Sequence, residues 1–223
     1  MRVRPLLAVT LLVLASSARA ATLVVLEKSA HRAALVDPAT LRVVARIPTG
    51  RGPHEAAAAP AGGTAYVTNY GGWALFQEGV KPKREPGNSV TVLDLASSSV
   101  RGTWDLGKHR LPHGIAVSKD GSRAWVTTEG TQSVHELDTV SGKILKTWSI
   151  AQHVNHMIVP AKDEAKLYVA NIASGSVSAT REGSKPPGVV SAAITSAERA
   201  RASDSSSSSP TGSASRSSAR RAS

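Results

Sequence analysis

Short runs of alternating apolar and polar residues recur along the middle of the chain. Three of them each end at an aspartate: RAALVDP (32–38), SVTVLDL (89–95) and SVHELDT (133–139). Each is followed by a turn and a second run: LRVVARI (41–47), VRGTWDL (100–106) and ILKTWSI (144–150). A period of two residues, bounded by Gly, Pro, Asp and Ser, predicts short β-strands. Since no helical period occurs beyond the first 20 residues, the sequence predicts an all-β protein.

These runs belong to a longer repeat. GPHEAAAAPAGGTAYVTN, LPHGIAVSKDGSRAWVTT and VNHMIVPAKDEAKLYVAN align, and both His113–His156 and Trp125–Tyr168 are separated by 43 residues. The preceding spacing of 59 residues, from His54 to His113, contains an insertion after Gly72. Four short strands in a unit of this length are typical of a β-propeller blade, whose strands we name A to D from the centre outwards. A β-sandwich with chance internal similarity is the alternative.

The segments AYVTN (65–69) and LYVAN (167–171) resemble the motif of the YVTN-type β-propeller repeat proteins, a family that includes YncE-like periplasmic propellers. AWVTT (124–128) departs mildly from that motif. The resemblance covers about residues 22–179 and implies a seven-bladed ring. Only three to four blades fit here, so we expect a truncated propeller over residues 21–180, with exposed blade faces that favour self-association.

Residues 181–223 differ in kind. They are rich in Ser, Ala and Arg, contain the run Ser205–Ser209 and have no aromatic residue. Such a segment cannot bury enough apolar area to offset its chain entropy, and we predict a disordered tail. Translation of a GC-rich gene out of frame would give this composition, and a linker to a partner is the alternative.

The first 20 residues predict export. Arg2 and Arg4 precede a short apolar core, and Ala18-Arg19-Ala20 forms a small-x-small cleavage site. The apolar core is too short to span a bilayer, so we expect cleavage, no remaining membrane span and a periplasmic or secreted protein. An uncleaved N-terminal anchor is the alternative.

Composition excludes several classes of site. The chain has no cysteine, which rules out disulfides, thiolate metal sites and c-type haem attachment. The net charge of +11 is spread over all three segments, so charge alone gives weak support for nucleic-acid binding.

Three histidines occupy one repeat position. His54, His113 and His156 lie at the start of strand A, the innermost strand, and are predicted to lie near the mouth of the central channel. Neutral imidazoles there could bind zinc or copper, or help to bind an anion. The alternative is a structural Pro-His element that hydrogen-bonds loop backbone. His31, His109, His135 and His153 lack this repeat position and are predicted to be surface residues.

The insertion at residues 72–87 is a B–C loop, which should rise on the same face as these histidines. It carries two aromatic residues and three cations: Trp73, Phe76, Lys81, Lys83 and Arg84. We predict that it contributes to the ligand site, and a solvated loop is the alternative.

Other polar repeats have structural interpretations. Asp37, Asp94 and Asp138 end strand C, where aspartate commonly caps a turn, although a catalytic carboxylate is conceivable. The pairs Gly62-Gly63, Asp120-Gly121 and Ser141-Gly142 mark hairpin turns. No catalytic residue and no cofactor can be assigned.

The sequence therefore predicts an exported propeller that binds a small anionic ligand or another protein. One alternative is an enzyme, since propellers similar to this family include lactonase-like proteins, quinoprotein dehydrogenase subunits and a haem-bearing nitrite reductase domain. The other is a binder of single-stranded nucleic acid, with Lys81, Lys83 and Arg84 on phosphates.

Overall fold

The protein is built from antiparallel sheets whose strands follow one another in chain order. The structure, a computed structural model, describes residues 21–72, 85–181 and 188–193. A three-stranded first sheet holds β1 (Leu23–Glu27), β2 (Arg32–Asp37) and β3 (Arg42–Pro48). Its strands correspond to B, C and D of a blade, as the repeat predicts.

Three four-stranded sheets follow. The second sheet holds β4 (Pro53–Ala58), β5 (Thr64–Gly71), β6 (Pro86–Asp94) and β7 (Ser99–Asp105). The third holds β8 (Pro112–Val117), β9 (Arg123–Thr128), β10 (Ser133–Asp138) and β11 (Ile144–Ser149). The fourth holds β12 (Asn155–Pro160), β13 (Leu167–Asn171), β14 (Ser176–Arg181) and β15 (Gly188–Ala193).

The fourth sheet extends beyond the predicted boundary at residue 180. β15 pairs with β14 from Ser176↔Ala193 to Arg181↔Gly188 and takes the place of strand D. The run GVVSAA carries two adjacent β-branched residues after a glycine, which suits an outer strand. The predicted tail thus contains one strand, and the rest of it lies outside the described residues.

Consecutive sheets stack face to face. One apolar cluster joins Leu35 and Ile47 of the first sheet to Val67 of the second. A second cluster joins the second sheet to the third and contains Tyr66, Val90, Trp104, Val126 and Leu137. A third cluster joins the third sheet to the fourth and contains Trp125, Trp148, Ile158 and Val169. The inner strands β4, β8 and β12 lie side by side. This is the arrangement of propeller blades, and it excludes the two-layer sandwich.

The aspartates that end strand C cap turns, as predicted. The carboxylates of Asp37, Asp94 and Asp138 accept backbone N–H bonds from Ala39, Ala96 and Ser141. Hydrogen bonds to the charged form lower the pKa of each carboxyl below its usual range. The largest contribution comes from the Ala39 N–H for Asp37, from the Ser97 N–H for Asp94 and from the Ser141 hydroxyl for Asp138. Gly62, Gly121 and Gly142 have φ near +70° in the hairpin turns, a conformation that favours glycine.

The fourth sheet has one apolar exposed face. In β13, burial alternates along Leu167–Asn171, whereas β9 is buried along nearly its whole length. Met157, Val159 and Tyr168 are 43%, 60% and 43% exposed on this face. The same repeat position is therefore interior in the third sheet and exposed in the fourth. Among the described residues, no helix is long and apolar enough to span a membrane.

Candidate functional site

The structure brings the three repeat histidines together. Each begins an inner strand, β4, β8 or β12. The ring centroids of His54 and His113 are 3.9 Å apart, and those of His113 and His156 are 3.6 Å apart. The ring centroids of His54 and His156, the two outer rings, are 6.5 Å apart. One imidazole from each of three successive blades thus forms a continuous row, which we call the histidine row.

A β-bulge positions each histidine. The pairing of strands A and B shifts register between Pro53 and Ala56, between Pro112 and Ile115, and between Asn155 and Ile158. Each shift places the histidine and its successor opposite a single residue of strand B. Bulges redirect side chains and are common beside functional sites.

A threonine of the YVTN-like segment ties two of these bulges, those of β4 and β8, to the next blade. Thr68 Oγ1 accepts from the Glu55 backbone N–H and donates to the carbonyl of His113 at 2.7 Å. Thr127 Oγ1 likewise accepts from the Gly114 N–H and donates to the carbonyl of His156 at 2.8 Å. The motif therefore holds the histidine backbone of the following blade in place.

Burial keeps the histidine row uncharged. Desolvation lowers the pKa of His113 to about 2 and that of His54 to about 4, and the nearby Lys28 ammonium adds to both shifts. The pKa of His156 is also lowered, first by desolvation and then by the Lys28 ammonium group. At neutral pH the three rings offer nitrogen lone pairs and N–H donors rather than positive charge.

A second repeat position, which the sequence analysis missed, surrounds the row. Lys28, Tyr70 and Glu129 each follow the last residue of the YVTN-like position in the first, second and third blades. Lys28 and Glu129 lie in B–C connections, and Tyr70 lies near the end of β5. Lys28 and Tyr70 contact the histidine of the next blade, whereas Glu129 lies nearest the histidine of its own blade, His113. The signal was present in the alignment, because the residue after Asn69, Thr128 and Asn171 varies in charge while its neighbours stay similar.

Lys28 fixes the tautomer of His54. Its Nζ lies 2.8 Å from His54 Nδ1. An ammonium group has no lone pair, so Nδ1 must accept and the His54 proton resides on Nε2. Lys28 and His54 thus place a cation and an N–H donor at one end of the row.

Glu129 lies beside the middle of the row, next to His113. Its carboxylate accepts a hydrogen bond from the Tyr70 hydroxyl, and its Oε1 lies 3.9 Å from His113 Nε2. Burial raises the pKa of Glu129, which the Tyr70 bond partly opposes. The Tyr70 pKa is raised by its own burial and by Glu129, so its hydroxyl stays protonated and keeps donating.

These residues include a possible metal ligand set. One nitrogen each of His113 and His156 and one oxygen of Glu129 all lie within 4.8 Å of one another. Ligands of a tetrahedral zinc ion are about 3.4 Å apart, so side-chain rotations would complete the contact. His113 Nε2 is 3.9 Å from the Glu129 carboxylate, whereas His113 Nδ1 is buried and makes no hydrogen bond with the described residues.

The aromatic and cationic residues predicted to line the site belong to the insertion after Gly72. Trp73, Phe76, Lys81, Lys83 and Arg84 lie outside the described residues, so their proposed role stays a prediction. The base of the loop is closed by the pairing of Gly71 with Pro86 and by an ion pair between Arg51 and Glu85 at 2.6 Å.

The prediction for the remaining histidines was wrong for His135. His153 is exposed, and His31 and His109 are half-buried, but His135 is fully buried. Its Nε2 lies 2.9 Å from Thr128 Oγ1 and its Nδ1 lies 3.0 Å from Thr147 Oγ1. The strand alternates like a half-exposed one, but neighbouring blades cover both of its faces, so polar residues on either face are buried.

This burial predicts acid sensitivity. Desolvation and the neighbouring His109 lower the pKa of His135 to about 3, against about 6.5 in the unfolded chain. Below pH 6.5 His135 therefore binds a proton in the unfolded chain but not in the folded protein. The free energy of unfolding falls as pH falls towards 3. His135 should contribute a slope of about 1.4 kcal/mol per pH unit.

The measurement is urea unfolding at pH 7, 6, 5 and 4. His135→Gln should reduce the slope between pH 6 and 4 by about 1 kcal/mol per unit, whereas His153→Gln should leave it unchanged. Equal slopes for wild type and His135→Gln would contradict the assignment.

Comparisons with known proteins establish the fold. No model of a known protein family matches the chain, and no curated protein matches its sequence. The YVTN resemblance therefore stays a prediction. Solved structures do match, and the β-propeller fold is common to two that are enzyme-related.

Three of these structures show the extent of the likeness. Hydrazine synthase of Kuenenia stuttgartiensis superposes with a TM-score of 0.58 and 22% identity, over 71% of this chain and 42% of that one. Dihydro-heme d1 dehydrogenase NirN in complex with DHE superposes with a TM-score of 0.56 and 18% identity, over 78% of this chain and 35% of that one. A functionally unknown protein from Desulfotomaculum acetoxidans superposes with a TM-score of 0.57 and 19% identity, over 78% of this chain and 58% of that one. The chain thus spans less than two thirds of each, and identities this low show the fold alone.

Proposed function

We propose that this protein is an exported β-propeller binding protein whose histidine row, together with Glu129, holds a divalent transition metal ion. The ligands would be His113, His156 and Glu129. The observation that carries the proposal is the convergence of one ligand atom from each of these three groups within 4.8 Å. Export rests on the charged, apolar and small-x-small pattern of residues 1–20.

The protonation states support metal binding. A metal ligand must present a lone pair, and imidazoles whose pKa is already lowered by burial lose no proton on binding at neutral pH. The two histidines and one carboxylate form a donor set that suits zinc and several other first-row ions. Tyr70, which donates to Glu129, would orient that carboxylate from the outer shell.

The ligand count also has a consequence. Three protein ligands leave a fourth position of a tetrahedral ion open, as in catalytic rather than structural zinc sites. The site would therefore bind a further ligand through the metal, which fits the predicted small-molecule binding role. Since two structurally similar proteins carry enzyme names, an enzymatic role for the metal is the second candidate.

The test is the stoichiometry and affinity of Zn²⁺ binding by the purified chain. We expect one ion per chain, and a loss of affinity of about 100-fold or more in His156→Ala, since even outer-shell changes cost 10–100-fold. His153→Ala removes an exposed histidine whose ring contacts only Gln132 among the described residues, so it should bind Zn²⁺ like wild type.

Glu129→Gln provides an independent variant, because it keeps the shape of the side chain and removes its charge. It should also weaken Zn²⁺ binding while the unfolding midpoint stays close to that of wild type. Full-strength Zn²⁺ binding in both His156→Ala and Glu129→Gln would refute the metal site.

A further inference from the structure

The His54 end of the histidine row carries a cation that forms no ion pair with the described residues. Lys28 lies on the 3₁₀ turn Lys28–Ala30 between β1 and β2 and is half-buried. Its Nζ contacts His54 Nδ1 and forms no ion pair with the described residues, and the Glu55 carboxylate lies 3.9 Å from the same His54 nitrogen. A half-buried ammonium group that lacks a counterion attracts an anion.

His54 adds a directed donor to this cation. Because Nδ1 accepts from Lys28, the ring proton is on Nε2, and the structure describes no protein acceptor for that N–H. The His54 ring lies 3.9 Å from that of His113, a proposed metal ligand. Hence the ammonium group, the N–H donor and the metal position adjoin one another.

Resting on the proposed metal site, we infer that Lys28 and His54 form the anion-binding half of a bipartite site that takes a small carboxylate. One carboxylate oxygen would fill the open position of the metal, and the other would accept from the Lys28 ammonium or from the His54 N–H. The metal supplies affinity for any lone pair, while Lys28 selects for negative charge. No covalent step is involved.

The structure predicts opposite effects of Lys28 on the two ligands. A cation beside a metal ion repels it, so removal of the Lys28 charge should leave metal binding intact or strengthen it, by about threefold. The same change removes a charge-assisted hydrogen bond to the carboxylate and should weaken its binding about tenfold or more. If Lys28 only supported the fold, its replacement would weaken the binding of both the metal and the carboxylate.

The experiment uses the purified chain loaded with Co²⁺, which replaces zinc and reports its coordination by visible absorption. Sodium acetate is titrated at constant ionic strength with sodium perchlorate. The variants are Lys28→Gln, which keeps an N–H donor towards His54, and Lys28→Arg, which keeps the charge. Lys143→Met removes a lysine from the turn between β10 and β11, on the opposite face, as the matched control.

We expect saturable acetate binding in wild type, Lys28→Arg and Lys143→Met, and at least tenfold weaker binding in Lys28→Gln with Co²⁺ still bound. Unchanged acetate affinity in Lys28→Gln would overturn the anion site and leave the metal site standing. Failure of wild type to bind Co²⁺ would overturn the metal site and this inference with it.

Discussion

Replacement of Trp125 by alanine should cost about 3–5 kcal/mol of unfolding free energy, the usual range for a buried tryptophan. The Trp125 side chain is 1% exposed and packs with Trp148, Ile158 and Val169 between the third and fourth sheets. Its indole N–H donates to Glu136 Oε2 at 2.9 Å, a bond that the variant leaves unmade. The expected loss therefore combines a cavity with a weakened polar contact.

Tyr168 provides the matched control, because it occupies the same repeat position one blade later. Its side chain is 43% exposed, so Tyr168→Ala should cost about 1 kcal/mol or less. Urea unfolding of both variants at pH 7 measures the difference. Similar losses for Trp125→Ala and Tyr168→Ala would contradict the stacking order of the sheets.

The second large effect is expected at Gly114, which follows His113 in the bulge of β8. A Cβ placed there would lie 2.5 Å from the His156 carbonyl oxygen and 3.1 Å from the Ile158 nitrogen. These atoms belong to the backbone of β12, which cannot rotate away. Gly114→Ala should therefore force two inner strands apart and cost about 3 kcal/mol, the upper part of the range for overpacking.

Gly114→Ala should also impair the site, since the displaced backbone carries His156. We expect Zn²⁺ affinity to fall in a variant that retains every proposed ligand. Gly102→Ala is the control, because a Cβ at Gly102 meets nothing within 4 Å and its φ is not positive. Its stability should stay within about 0.5 kcal/mol of wild type. A Gly114→Ala protein as stable as Gly102→Ala would show that β8 and β12 are not in close contact.

The convergence of His54, His113 and His156 could be predicted from spacing alone. A residue that recurs once per blade at the start of strand A must lie near the same point on the axis, and the structure places the three rings in one row. The turn-capping role of Asp37, Asp94 and Asp138 was also predictable, because it depends only on residues two or three positions away.

The remaining site residues were less accessible to sequence reasoning. Lys28, Tyr70 and Glu129 differ in chemistry, so no repeat of residue type marks them, and each makes a contact with a neighbouring blade. The burial of His135 was missed for a related reason. Period-two alternation shows which residues share a face of a strand, but it does not show whether a second sheet covers that face.

The position that follows strand B has a bearing on how such a protein can diversify. It places lysine, tyrosine and glutamate beside the histidine row in the first three blades, and the same position in the fourth blade holds the exposed Ile172. Lys28 and Glu129 lie in connections between strands, so a change of residue there leaves the strand pairing of the blade intact. Substitutions at this one position of each blade could therefore change which ligand the site binds while the blade itself is retained.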